Sequence, residues 1–213
     1  MSISVDKLET LMNSYGTEER IREYIRRCVS FHGFVPPGLL IGVFMVDLAL
    51  EKLGATLGEK LYAVAETPKC APDAVQVITS ATIGNKQLRI IETGKFSITL
   101  NRGSNEDRAD GIRVYVDATK IRGYPMLNLW YTNDPHYNHV TEKDLVYDEI
   151  LQAGRDILSW ERVKVSVPQK AIWQAVQCPV CKEMVPDYLV EDGVCTSCAG
   201  TSYYEKSSDA LHQ

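Results

Sequence analysis

The stretch Val29-Ser-Phe-His-Gly-Phe-Val-Pro-Pro-Gly-Leu-Leu-Ile-Gly42 sets a histidine on a glycine turn, follows it with two prolines and then opens a very apolar segment. Pro37 can occupy the first turn of a helix without losing a hydrogen bond, since that N–H has no intrahelical partner anyway. From Gly38 to Leu53 the residues are apolar nearly all round the helical circumference. Such a helix must be covered on every side, so the segment reads as the buried centre of the fold. Gly42 within it marks a close approach by another backbone, and Gly54 supplies the stop.

Outward from this centre, Lys7 to Cys28 reads as helix with a break at Gly16-Thr17, and Ile21, Tyr24, Ile25 and Cys28 share one face. Arg20, Arg22, Arg26 and Arg27 lie among them and read as a solvated face rather than an anion site. Downstream, strands are expected around Lys60–Thr67, Leu88–Glu92, Lys95–Leu100 and Gly111–Asp117, with a short helix opened by Pro72. A helix over Glu142–Leu158 and a strand from Arg162 complete a core of about 165 residues. The expected fold is α+β: a mixed domain over 1–165 with a buried central helix against a sheet, a linker and small four-cysteine module over 166–206, and a tail over 207–213.

The 213 residues are 45% hydrophobic and 24% charged, which suits a protein with a real core. A net charge of -5 offers no global attraction to polyanions, so nucleic acid is not an expected partner. The first twenty residues contain no basic stretch followed by an apolar one, and the uncharged run from Cys28 to Val46 is broken by Gly33, Pro36, Pro37 and Gly38. The reading is a cytoplasmic protein without a membrane span.

Four of the six cysteines form two CxxC pairs, Cys178/Cys181 and Cys195/Cys198, separated by thirteen residues. Two residues between cysteines let the chain turn tightly enough for both thiolates to reach one ion, and a second pair completes a tetrahedral sulfur shell suited to zinc. Rubredoxin-type iron, a redox CxxC and two disulfides remain the other readings of this spacing. Between Cys178 and Gly200, one Lys stands against Glu183, Asp187, Glu191 and Asp192, which favours protein contact or structural support over DNA binding.

The order FHGF-x-PPGLLIGVFMVDLALEKLG, then ETPKCAPDAVQVITSATIGN, a strand beginning GK, and the paired CxxC resembles the FmdE family, named for a component of formylmethanofuran dehydrogenase, from about Val29 to Gly200. The resemblance implies an α+β core, a C-terminal zinc finger, archaeal or anaerobic bacterial ancestry and a link to a molybdenum or tungsten enzyme. His32, Gly33, Gly38, Cys70, Asp73, Thr82 and Gly84 match the family's motifs. Phe34, Pro36 and Ala81 stand where the family usually has a histidine and two cysteines.

Two functions follow as expectations. One is a zinc-binding accessory or regulatory protein, linked to formylmethanofuran dehydrogenase-type metabolism and acting on a protein partner such as an oxidoreductase complex. The other is an enzyme using His32 and Cys70 as catalytic residues, or as ligands of a second transition-metal ion in the core; His136 and His139 stand in a polar turn and read as a solvated loop rather than as substitute ligands. A homodimer or larger oligomer is expected from the apolar helix beginning at Gly38 together with Leu127, Leu129, Trp130 and Tyr131.

Overall fold

The structure is a computed structural model describing residues 2–168 and 172–205, and the chain divides into two units, Met1–Val167 and Pro168–Gln213. In the first, α1 (Val5–Ser14) and α2 (Glu19–His32) are separated where Gly16 takes a left-handed conformation, at the expected break. The central helix α3 (Pro37–Leu53) runs as its sequence requires, and every residue from Pro37 to Leu50 is buried. Left-handed Gly54 ends it.

The cover comes from α2, α4 (Ala71–Thr79) and α6 (Lys143–Ala153), and from the sheet through β3 (Ser97–Arg102) and β4 (Arg108–Val116). The five strands, including β1 (Leu61–Ala65), β2 (Leu88–Ile90) and β5 (Leu158–Ser166), lie in the order β2-β1-β3-β4-β5. β1 and β2 pair in parallel, with α4 as the crossover, and the other pairs are antiparallel. Register places Ala63, Leu100 and Ile112 in one row and Ala65, Ile98 and Val114 in the next, all buried and apolar. Side chains alternate between faces, so this is the face that meets α3. On the opposite face Arg113 donates to Glu66 (2.5 Å), Glu161 (2.9 Å) and Ser97 (3.2 Å). Burial pushes the Glu66 carboxyl up, but the hydrogen bonds from Arg113, Ser97 and Thr93 outweigh it and hold it down at about 2.

Three local readings differ from this structure. The helix expected over Glu142–Leu158 ends at Ala153, because Gly154 takes a positive φ and Leu158 is drawn into β5 opposite Val116. Leu127, read as part of an outer apolar surface, is fully buried on α5 (Pro125–Tyr131), and Leu129, Trp130 and Tyr131 pack partly buried against the same core. The α2 arginines are not only a solvated face, although Arg20 and Arg27 are exposed. Arg22 and Arg26 hold Glu9 of α1, and Arg27 donates to the Val77 carbonyl of α4.

The second unit is built from two small hairpins, β6 (Ala175–Gln177) with β7 (Met184–Pro186) and β8 (Val190–Glu191) with β9 (Val194–Cys195). The expected tail over 207–213 lies outside the described residues. Among the described residues, no helix is long and apolar enough to cross a membrane.

Asp47 is a carboxylate in the middle of the most apolar helix, 1% exposed. Arg155 donates to Oδ2, and Arg20 approaches Oδ1 at 2.6 Å as an ion pair rather than an aligned hydrogen bond. A charge this deep is tolerable only while paired. Asp47→Ala is expected to destabilise the first unit by about 3 kcal/mol, the lower end for breaking a buried pair, because both arginines can swing to water. Urea unfolding checks it, and an unchanged midpoint would contradict the role given to this pair.

Candidate functional site

Three helix ends meet at one corner of the first unit. α2 ends at His32, capped by left-handed Gly33, while α3 begins at Pro37 and α4 begins after Cys70. His32 Nδ1 lies 2.6 Å from Asp73 Oδ2, and Gln76 donates to the other carboxylate oxygen at 3.4 Å. A carboxylate on Nδ1 fixes the ring's orientation and leaves Nε2 to face a proton or a metal. Half-exposed Phe34 lies with its ring centroid 4.6 Å from that of His32, tilted at 58°.

Cys70 sits in an unusual backbone. Its φ of 50° and ψ of -54°, with Ala71 N–H donating to the Lys69 carbonyl at 2.5 Å, make it the centre of a γ-turn. That conformation is rare for a residue with a Cβ and costs on the order of 1–3 kcal/mol, so the surrounding packing must impose it. The close neighbour is Gly38: a Cβ there would lie 3.2 Å from Cys70 Cβ and 3.2 Å from its Sγ. The loops carrying His32 and Cys70 therefore converge on the entrance of α3, with Asp73 bonding His32 from the first turn of the helix that Cys70 precedes.

The thiol is not activated as its position before a helix suggests. Burial pushes the Cys70 thiol up and Asp73 adds to the rise, while Lys69 offsets only part. Cys28, buried on α2, is pushed up by burial to about 12. Tyr147, also buried, donates to the Val35 carbonyl at 2.6 Å and so ties α6 to the loop between His32 and α3. Neither Tyr147 nor the pairing of Asp73 with His32 was visible in the sequence as part of a site: the partners are 112 and 41 residues apart and share no local motif. Of the substituted positions, Pro36 and Ala81 are buried and Phe34 is half-exposed, and none of them offers a side-chain donor atom. His136 bonds Asp134 at 2.8 Å on an exposed loop, and His139 meets the edge of Tyr137.

Among the described residues, the one group of three or more His, Cys, Asp or Glu side chains arranged to hold a metal ion is Cys178, Cys181, Cys195 and Cys198. Their sulfurs all lie within 4.8 Å of one another. A tetrahedral ion bonded at about 2.3 Å sets sulfurs roughly 3.8 Å apart, and Cys181 Sγ lies 3.9 Å from Cys195 Sγ. β9 and the turn after β6 bring the two pairs together, and the Cys195 N–H points at Cys178 Sγ at 3.5 Å. That contact, followed by others from the Cys181 and Val180 backbone, draws the Cys178 thiol down to about 6, whereas a hydrogen bond with Cys195 and burial push Cys198 up to about 12 and Cys181 is raised as well. These residues can hold one metal ion.

A model of the family described as FmdE, Molybdenum formylmethanofuran dehydrogenase operon, matches residues 31–166. A curated protein of Archaeoglobus fulgidus, named a probable S-adenosyl-L-methionine-binding protein, is 30% identical over 205 residues, covering 88% of this chain. The chain spans 55% of that relative's length. The crystal structure of a tungsten formylmethanofuran dehydrogenase FmdE-like protein from Syntrophus aciditrophicus is 34% identical and superposes with a TM-score of 0.74, covering 87% of this chain and 95% of that one. The family match runs from the turn at His32 to the end of β5, through the whole corner where the three helix ends meet, and the chain belongs to the FmdE family.

Proposed function

We propose that this protein is a zinc-binding accessory or regulatory protein, linked to formylmethanofuran dehydrogenase-type metabolism in the cytoplasm and acting through protein contact, as a homo-oligomer and with an oxidoreductase complex as partner. The observation that carries the zinc reading is the gathering of four sulfurs within 4.8 Å of one another, in a module whose only buried side chains among the described residues are two of these cysteines, Cys178 and Cys195. The family name and the Syntrophus structure support the metabolic link. Zinc would act there as a structural cross-link, with all four positions filled by protein. Elemental analysis of purified protein is expected to give one zinc per chain, and Cys195→Ala to lose it while the first unit keeps its cooperative unfolding transition. Iron in its place, or disulfides at Cys178 and Cys195 by mass spectrometry, would refute this assignment.

The strained backbone at Cys70 and the His32–Asp73 pair favour a second reading, in which the core is an enzyme using His32 as acid or base with Cys70 as nucleophile, or with both as ligands of a second transition-metal ion. The Archaeoglobus relative adds S-adenosyl-L-methionine as a ligand for such a core. His32→Ala is expected to change the rate of Cys70 alkylation or the core-metal content at least threefold, with Cys70→Ser as the control that removes the signal. Equal rates, equal metal content and a fall in melting temperature alone would leave His32 a hydrogen-bonded turn residue and end this reading.

A further inference from the structure

Both ends of the turn that joins α2 to α3 meet the start of α4. His32 bonds Asp73, and Gly38 lies against Cys70, so the residues between them, Gly33 to Pro37, span the Cys70 side of the corner. Val35, at the middle of that span, is 1% exposed. Both of its backbone groups are held from outside the turn: the N–H donates to Ser2 Oγ at 3.2 Å, and the carbonyl accepts from the Tyr147 hydroxyl at 2.6 Å. Ile3, beside Ser2, is buried in the same core, and its backbone lies against that hydroxyl.

These two holds differ in strength. Tyr147 is fully buried and comes from the middle of α6, whereas Ser2 and Ile3 belong to no helix or strand and are kept in place by one side-chain hydrogen bond and one buried side chain. A short segment held this way lifts locally without unfolding the helices around it. The turn beneath it is free to move at one end. Gly33 has a φ of 89°, a region open to glycine, and a Cβ there would meet nothing within 4 Å. Pro36 and Pro37 fix φ on the other side, so a displacement of Val35 is taken up at Gly33. We infer that Ser2 and Ile3 form a strap that keeps this turn closed over Cys70, and that lifting the strap swings the turn about Gly33 and opens the thiol to an incoming molecule. The inference rests on the second reading above only in taking the corner as a place that a ligand enters, and it holds whether or not Cys70 is then a nucleophile or a metal ligand.

Thiol labelling of the full chain, resolved by mass spectrometry of its peptides, tests the strap. Ser2→Ala removes the acceptor of the Val35 N–H and is expected to speed both hydrogen exchange at Val35 and alkylation of Cys70 by N-phenylmaleimide about fivefold, the net worth of one hydrogen bond. Ile3→Ala, which loosens the buried anchor, is expected to act in the same direction. Cys28, fully buried on α2 outside the turn, is the internal control and is expected to keep its wild-type rate. The bulky maleimide is expected to gain more than iodoacetamide, as access requires and a changed thiol acidity does not. Faster exchange at Val35 with no change at Cys70 would make the segment a brace and overturn its control of access. A parallel rise at Cys28 would mark general loosening, and equal gains for the two reagents would trace the effect to thiol acidity; either would overturn it too. His32→Ala leaves the strap in place, so the catalytic reading of the corner can fail while this labelling pattern stands.

Discussion

The structure of the first unit depends on covering a helix that has no polar side. Fourteen consecutive residues of α3, Pro37 to Leu50, are buried. Each large side chain among them is worth about 1.5–3 kcal/mol when removed from water, so leaving even one flank open would forfeit several kcal/mol. An ordinary amphipathic helix needs a single neighbour, whereas this one needs a ring of them. α2, α4 and α6 together with β3 and β4 form that ring, and the chain order of the whole unit follows from having to build it.

The same requirement places the candidate chemistry. Helices approach closely where their facing residues are small, and Gly42 meets Ala71 and Ala74, with a Cβ at Gly42 lying 3.1 Å from the Ala71 backbone. Seating α4 this tightly on α3 presses Cys70 against Gly38 and leaves little room for a relaxed backbone at Cys70. Asp73, one turn further, then faces the last residue of α2. The corner is therefore a product of core packing, and its strain is held by contacts that are themselves deeply buried.

What was legible in the sequence was whatever the local chain decides. The all-round apolar pattern from Gly38 gave α3, Gly16 and Gly54 gave helix limits, and the CxxC spacing gave the sulfur cluster, because each depends on residues a few positions apart. What was not legible depends on partners brought from far along the chain. Leu158 carries nothing that says strand rather than helix until Val116 is beside it. The arginines of α2 look like a solvated face until Glu9 and the Val77 carbonyl arrive. The thiol of Cys70 follows the same rule: a helix start and a neighbouring lysine are local features that favour the thiolate, but burial decides the outcome.

Cys178 consequently differs from every other shifted cysteine of the chain, since Cys181 and Cys198 beside it are raised as Cys28 and Cys70 are. Around Cys178 the backbone turns its N–H groups toward sulfur and stabilises the negative form, down to about 6, which prepares the thiolate that a metal ion requires. Around Cys28 and Cys70 no such donors outweigh burial, and both thiols stay protonated at neutral pH. A protonated thiol is a poor nucleophile and a poor ligand, so the core corner can work only if something changes its surroundings. An arriving cation would do so directly, because positive charge beside Cys70 opposes both the burial and the Asp73 carboxylate that now hold the proton in place. Asp73 is already committed to His32, so such a cation would meet a histidine held in a fixed orientation and a thiol with a proton to release. Any chemistry at this corner is therefore conditional on what binds there, whereas one sulfur of the cluster, that of Cys178, is prepared by its own backbone.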